Sequence, residues 1–205
     1  MQIIYLPGWL NPAAALAPIA DIVGGDAQML DFPTDAVRSV ADFADWVAAQ
    51  IDAPAFIVGH SFGGKVAVAL AARHPDIVRG IFVVSGSNRG RWIFRALRPL
   101  IKLAKAMGFS GARFRASDYS QSSEIMKKNM ARTLDFNIMP LAHKIKCPAT
   151  FIYGANDRTT RPTLGRKLAR ATGGRFFELP GYNHNSIITD GAWQVGAIVR
   201  GGLGE

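Results

Sequence analysis

The stretch Ala55-Phe56-Ile57-Val58-Gly59-His60-Ser61-Phe62-Gly63-Gly64 constrains the fold more than any other part of the chain. An apolar run enters a Gly-x-Ser-x-Gly turn, and an apolar-periodic segment follows it to residue 73. That order predicts a buried strand, a very sharp turn and a helix. A serine on such a turn is held in a strained backbone region, with its hydroxyl clear of the strand's C-terminal end. Strand and helix then pass so close that the residues two before and two after the serine cannot carry side chains. Gly59 and Gly63 meet that demand. An ordinary turn with a capping serine is the plainer reading of the string. Its placement between an apolar strand and an apolar-periodic helix favours a nucleophile.

Length bounds the rest. With 205 residues, one domain with a sizeable core is expected. No apolar run approaches the roughly 18 residues of a membrane span. The chain enters a strand-like run directly after Met1, with no basic leader, so no secretion signal is expected. Cys147 is the single cysteine, which excludes an internal disulfide framework and a cysteine-rich metal site. A reducing cytoplasm is the expected compartment. No organic or metal cofactor is expected.

Strand-like runs are read at residues 2–6, 27–31, 55–59, 79–85, 149–154 and 175–179. Helical segments are read at 13–23, 37–50, 62–73, 162–172 and 186–200, with Val40, Phe43, Ala44 and Val47 on one face of the second. This alternation predicts an α/β fold with a mostly parallel sheet and helices on both faces. Sites in such sheets form beyond the carboxyl ends of the strands. Ser61, Asn156-Asp157 and Tyr182-Asn183-His184 all fall there, as does Pro7-Gly8-Trp9. A serine hydroxyl needs an adjacent base, and the base needs a group to orient it. Of the four histidines, only His184 follows the last strand. His60 lies inside the turn, His74 ends a helix and His143 precedes the fifth strand. Ser61, His184 and Asp157 are therefore the candidate nucleophile, base and orienting carboxylate.

Gly59-His60-Ser61-Phe62-Gly63, Tyr153-Gly154-Ala155-Asn156-Asp157 and Leu179-Pro180-Gly181-Tyr182-Asn183-His184 stand in the order Ser, Asp, His. With these motifs the chain resembles the α/β-hydrolase superfamily of serine hydrolases over nearly its whole length. The resemblance implies a sheet of order 2-1-3-4-5-6, without the two antiparallel strands that usually precede the first. It implies a Ser61–His184–Asp157 triad and an oxyanion hole made by the backbone N–H groups of Trp9 and Phe62. Many members have His-Gly before the second donor, whereas this chain has Pro7-Gly8. More narrowly, Pro7-Gly8-Trp9-Leu10-Asn11 with a short basic insert looks like the carboxylesterases that cleave pimeloyl-carrier-protein methyl esters. In that group the tryptophan contacts substrate, which maps onto Trp9, and Phe62 lies in the same site. A carboxylic ester or thioester is the implied substrate, cleaved through an acyl-enzyme. A non-hydrolytic domain that binds a membrane or a protein is the alternative.

The net charge of +9 has one source. Residues 86–146 hold 13 Lys and Arg against three acids, and the remainder of the chain holds 11 against 12. This segment stands where the family inserts a helical cap, so one domain with a cap over residues 86–146 is expected. Arg91, Arg95, Arg98, Lys102 and Lys105 recur at helical spacing, and a second helix is read at 122–134. A solvated helix face is the plain reading of such a run. A surplus of ten charges in one segment suits a partner instead. An acidic acyl carrier protein fits best and an anionic membrane less well. Nucleic acid is not expected, because no reader motif accompanies the charge.

Overall fold

The computed structural model describes residues 1–87 and 123–204. Arg91, Arg95, Arg98, Lys102 and Lys105, and most of the expected cap, lie outside the described residues. Six strands form one sheet: β1 (Gln2–Leu6), β2 (Asp26–Met29), β3 (Ala55–His60), β4 (Val78–Val84), β5 (Ala149–Gly154) and β6 (Arg175–Leu179). All pairings are parallel and the order is β2-β1-β3-β4-β5-β6, as expected from the sequence.

The period-two alternation of the strands feeds two apolar layers. Ile4, Leu6 and Ile57 point into one layer with α2 (Val40–Ala48), α3 (Phe62–Arg73) and α6 (Pro162–Thr172). Ile3, Tyr5 and Val58 point into the other, with α1 (Ala17–Val23) and α7 (Ala192–Gly202). Central strands β3 and β5 are buried along their whole length, which is why they read as continuous apolar runs. No helix among the described residues is long and apolar enough to cross a membrane.

Several boundaries differ from the sequence reading by a few residues, and two of the helix starts have a clear physical reason. Helix α2 starts at Val40 rather than 37, because Ser39 and Asp42 form a reciprocal capping box that fixes its first turn. Helix α7 starts at Ala192 rather than 186. The intervening turns bury Ile187 and Ile188 in the second layer, and Asn183 and Ser186 bond each other's backbone N–H groups. Part of the segment 86–146 is among the described residues. Helix α4 (Glu124–Asp135) follows Ser123, its N-cap. The short α5 (Met139–Ala142), however, packs on α3 and α6. Ile138 and Ala142 are buried in the first apolar layer there.

Candidate active site

The turn after β3 carries the strain the sequence implied. Ser61 has φ 53° and ψ −106°, a left-handed backbone that a non-glycine residue adopts at a cost of about 1–3 kcal/mol. A Cβ on Gly59 would collide with the Gly63 carbonyl, and one on Gly63 would collide with the Leu6 carbonyl. Only glycine fits at either place. Two hydrogen bonds hold the turn: Ser61 N–H to Val84 O at 2.9 Å, and Gly63 N–H to Pro7 O at 2.9 Å.

The loops after β3, β5 and β6 bring Ser61, Asp157 and His184 together. His184 Nε2 lies 3.0 Å from Ser61 Oγ, and His184 Nδ1 lies 2.8 Å from Asp157 Oδ2. A carboxylate can only accept, so Nδ1 carries the proton and donates it to Asp157. Nε2 is then free to accept the Ser61 hydroxyl proton. The Asp157 side chain is fully buried, and that of His184 is partly exposed, at 16%. Asn183 Oδ1 accepts the N–H groups of Asn185 and Ser186, each at 3.0 Å, which fixes the loop that presents the imidazole.

Asp157 is fully partnered. Its Oδ1 accepts the N–H groups of Thr159 and Thr160, both at 2.8 Å. Its Oδ2 accepts from His184, with the Thr160 hydroxyl also 2.8 Å away. Burial alone would raise the carboxyl, but the bonds from the His184 ring and from Thr160 outweigh it and hold it at about 2. The sequence reading missed Thr160. Its Oγ1 also lies 2.8 Å from Ser85 O, so one buried hydroxyl ties the loop after β5 to the end of β4. The only sequence signal was a threonine three residues past an aspartate.

His60, read only as part of the turn, has a structural task of its own. It is 1% exposed, and its Nε2 lies 3.0 Å from the backbone oxygen of His184. Only a protonated nitrogen can pair with a carbonyl, so Nε2–H donates and braces the loop that carries His184. Burial, helped by the nearby His184 ring, pushes His60 down to about 4, so it is neutral near pH 7. The linkage sign follows from that shift. As pH falls from about 6.5 to 4, the unfolded chain takes up a proton that the folded chain refuses, and stability is lost. The loss assignable to His60 is roughly 3 kcal/mol. Urea unfolding at stepped pH is expected to show this extra fall in wild type relative to His60→Gln. Parallel curves for the two proteins would refute it.

The residues expected to give the oxyanion donors, Trp9 and Phe62, line one cavity with Ser61 and His184. Among the described residues, neither the Trp9 nor the Phe62 N–H has an acceptor. Phe62 opens α3, where the helix N-terminus adds a partial positive charge. The Trp9 and Phe62 rings meet edge to face at 5.0 Å. Beneath Gly8 the His60 ring fills the space that a Cβ at Gly8 would crowd at 3.1 Å.

Helix α4 is fastened above this site by two buried groups without a sequence signature. Asn129 accepts the Arg38 N–H at 2.6 Å and donates to Ala36 O at 3.0 Å. Lys65 of α3, fully buried, donates to Thr133 O at 2.8 Å and Phe136 O at 3.1 Å, closing the C-terminus of α4. Burial lowers Lys65 to about 8, against the opposing pull of Asp135.

Residues 6–195 match the Alpha/beta hydrolase family. Over 191 aligned positions the chain is 32% identical to a protein of Neisseria meningitidis serogroup B named pimeloyl-(acyl-carrier protein) methyl ester esterase, covering 78% of this chain and 71% of that protein. It is 29% identical to a protein of the same name from Chromobacterium violaceum, covering 92% and 89%. Among solved structures, the enol-lactonase of Burkholderia xenovorans LB400 superposes with a TM-score of 0.74 at 22% identity, covering 97% of this chain and 89% of that one. At that identity the likeness speaks for the fold alone. Sheet order, the strained serine turn and the family match agree: the chain belongs to the alpha/beta hydrolase family.

Proposed function

We propose that the chain hydrolyses a carboxylic ester through an acyl-enzyme on Ser61. The observation that carries this reading is the continuous hydrogen-bonded line from Asp157 through His184 to Ser61, at 2.8 and 3.0 Å. His184 Nε2 takes the Ser61 proton as Oγ attacks the ester carbonyl. The new oxyanion is received by the N–H groups of Phe62 and Trp9, each such donor worth about 3–4 kcal/mol. The C–O bond to the alcohol breaks, and His184 gives the proton to the departing oxygen. A water then enters and loses a proton to His184 as its oxygen bonds the acyl carbon; the bond to Ser61 Oγ breaks, His184 returns the proton to Oγ, and the acid departs. Asp157 stays ionised throughout and stabilises the imidazolium.

The finer reading is an acyl chain presented on an acidic carrier protein. The printed names of the relatives support it, as does the surplus of ten positive charges in residues 86–146. Purified protein is expected to release alcohol from p-nitrophenyl butyrate and from the methyl ester of a dicarboxylic acyl chain on its carrier. The carrier-bound ester is expected to show the higher kcat/KM at low ionic strength, with the advantage shrinking as salt is added. Release from neither ester would overturn ester hydrolysis. Equal, salt-independent values for carrier-bound and free methyl esters would overturn the carrier alone.

A further inference from the structure

The near balance of charge outside residues 86–146 hides a second basic cluster. Residues 158–170 hold five of the 11 Lys and Arg found there, and no acid. What remains outside both segments is six cations against 12 acids, so the five stand out against a negative background. The fold brings all five to one place. Arg158 and Arg161, from the loop between β5 and α6, and Arg166, Lys167 and Arg170, from α6, line one cavity of about 800 Å³. All five are exposed. This groove shares no lining residue with the cavity that holds Ser61 and His184. We propose that it is a binding site, separate from the ester site, for a soluble anion carrying two or more linked phosphate groups.

The charge in the groove is not neutralised from within the chain. Two acids are among its lining residues. Asp157 gives its oxygens to His184, Thr159 and Thr160, and its side chain has no exposure. Glu178 is paired with Arg166 at 2.7 Å. Among the described residues, no ion pair involves Arg158, Arg161, Lys167 or Arg170. Four like charges around one space repel one another, and the repulsion opposes the compact state until an anion relieves it.

The chemistry of that anion follows from the groups that meet it. Four of the five cations are arginines, whose planar forks match phosphate oxygens in pairs. Arg166 is already held, by Glu178 and by the Phe176 ring, whose centroid lies 5.1 Å from the guanidinium carbon. Thr163 adds a hydroxyl to the lining. The volume is that of a small-molecule site. Matching four unpaired cations within it takes a dense anion. Carboxylates on one face of an extended peptide recur only about every 7 Å, whereas linked phosphates crowd their charges together. No aromatic side chain is among the described lining residues, so no platform stacks a base and recognition rests on the phosphates.

The test is calorimetry with sodium tripolyphosphate in about 0.15 M salt, where loose charge pairing is screened. Wild type is expected to bind one tripolyphosphate, and to bind inorganic phosphate about tenfold or more weakly. The double variant Lys167→Glu, Arg170→Glu is expected to lower tripolyphosphate affinity by about tenfold or more. The double variant Lys128→Glu, Arg132→Glu changes the total charge equally on α4 and is expected to leave the affinity within about twofold. All four residues are exposed, so both proteins are expected to fold, which thermal unfolding checks. In wild type, tripolyphosphate is expected to slow amide hydrogen exchange in peptides covering residues 155–170 and to raise the unfolding temperature. Ser61→Ala is expected to bind it as wild type does, so the site stands or falls apart from ester hydrolysis. Absence of binding, equal losses in the two double variants, or slowed exchange only outside residues 155–170 would overturn the site. Binding to vesicles bearing phosphatidylinositol bisphosphate without binding to tripolyphosphate would overturn the soluble ligand in favour of a lipid headgroup. A polyglutamate peptide that binds more tightly than tripolyphosphate would overturn it in favour of an acidic protein.

Discussion

Ser61→Ala is expected to lower kcat on p-nitrophenyl esters by about 10⁴–10⁶-fold while the protein stays folded. The size follows from the chemistry. Without Oγ no acyl-enzyme forms, and the remaining turnover must come from water held near the donors of Trp9 and Phe62. The fold is expected to survive because the turn is held by backbone bonds, Ser61 N–H to Val84 O and Gly63 N–H to Pro7 O, that alanine keeps. Alanine keeps the Cβ and with it the strain at φ 53°. Ser61→Gly is expected to be equally inactive and more stable than Ser61→Ala by about 1 kcal/mol, since glycine relieves a left-handed backbone. Urea unfolding beside the kinetics checks both. A Ser61→Ala protein as active as wild type would remove Ser61 from the mechanism.

Asp157→Asn is expected to lower kcat by about 10⁴-fold with little change in KM. Asparagine occupies the same volume, and its Oδ1 can still accept the N–H groups of Thr159 and Thr160. Its amide, however, turned toward His184, presents a donor where Nδ1–H needs an acceptor. The ring is then driven to the tautomer with the proton on Nε2, which cannot accept from Ser61. Holding Asp157 at about 2 also has a consequence for stability. The folded carboxyl lies below its unfolded value, so its contribution is present above about pH 4 and lost as pH falls toward 2. Equal kcat for Asp157→Asn and wild type would mean that His184 is oriented by Thr160 or by its loop alone.

The part of this architecture legible in the sequence was the part fixed by short-range rules. Gly59 and Gly63 had to be glycine for the turn to close. The alternation of apolar strands and helices pointed to a mostly parallel sheet, and the family resemblance supplied its order. Ser61, Asp157 and His184 could be chosen because parallel α/β sheets gather their loops at one end. What the sequence hid depends on contacts between distant segments. Lys65 reads as a polar break in an apolar helix, yet it is buried and bonds two carbonyls beyond residue 130. Asn129 lies within the helix read at 122–134 without a role assigned to it, yet it pins the loop before α2. His60 and Thr160 bond backbone oxygens of other loops. Backbone acceptors have no side-chain identity, so no residue pattern announces them. The helix expected from 186 failed for a related reason: the Asn183 and Ser186 bonds hold turns there until Gly191 admits α7.

The central claim is that Ser61 becomes covalently acylated. It is tested most directly by mixing the protein with p-nitrophenyl octanoate, quenching in acid within milliseconds, and weighing the intact chain and its proteolytic peptides. The expected result is one octanoyl group, in sub-stoichiometric to full yield, on the peptide bearing Ser61. It should be absent from Ser61→Ala and accumulate in Asp157→Asn if deacylation slows more than acylation. Turnover with no acyl mass on Ser61 at any quench time, or an acyl group on another residue that persists in Ser61→Ala, would contradict the account.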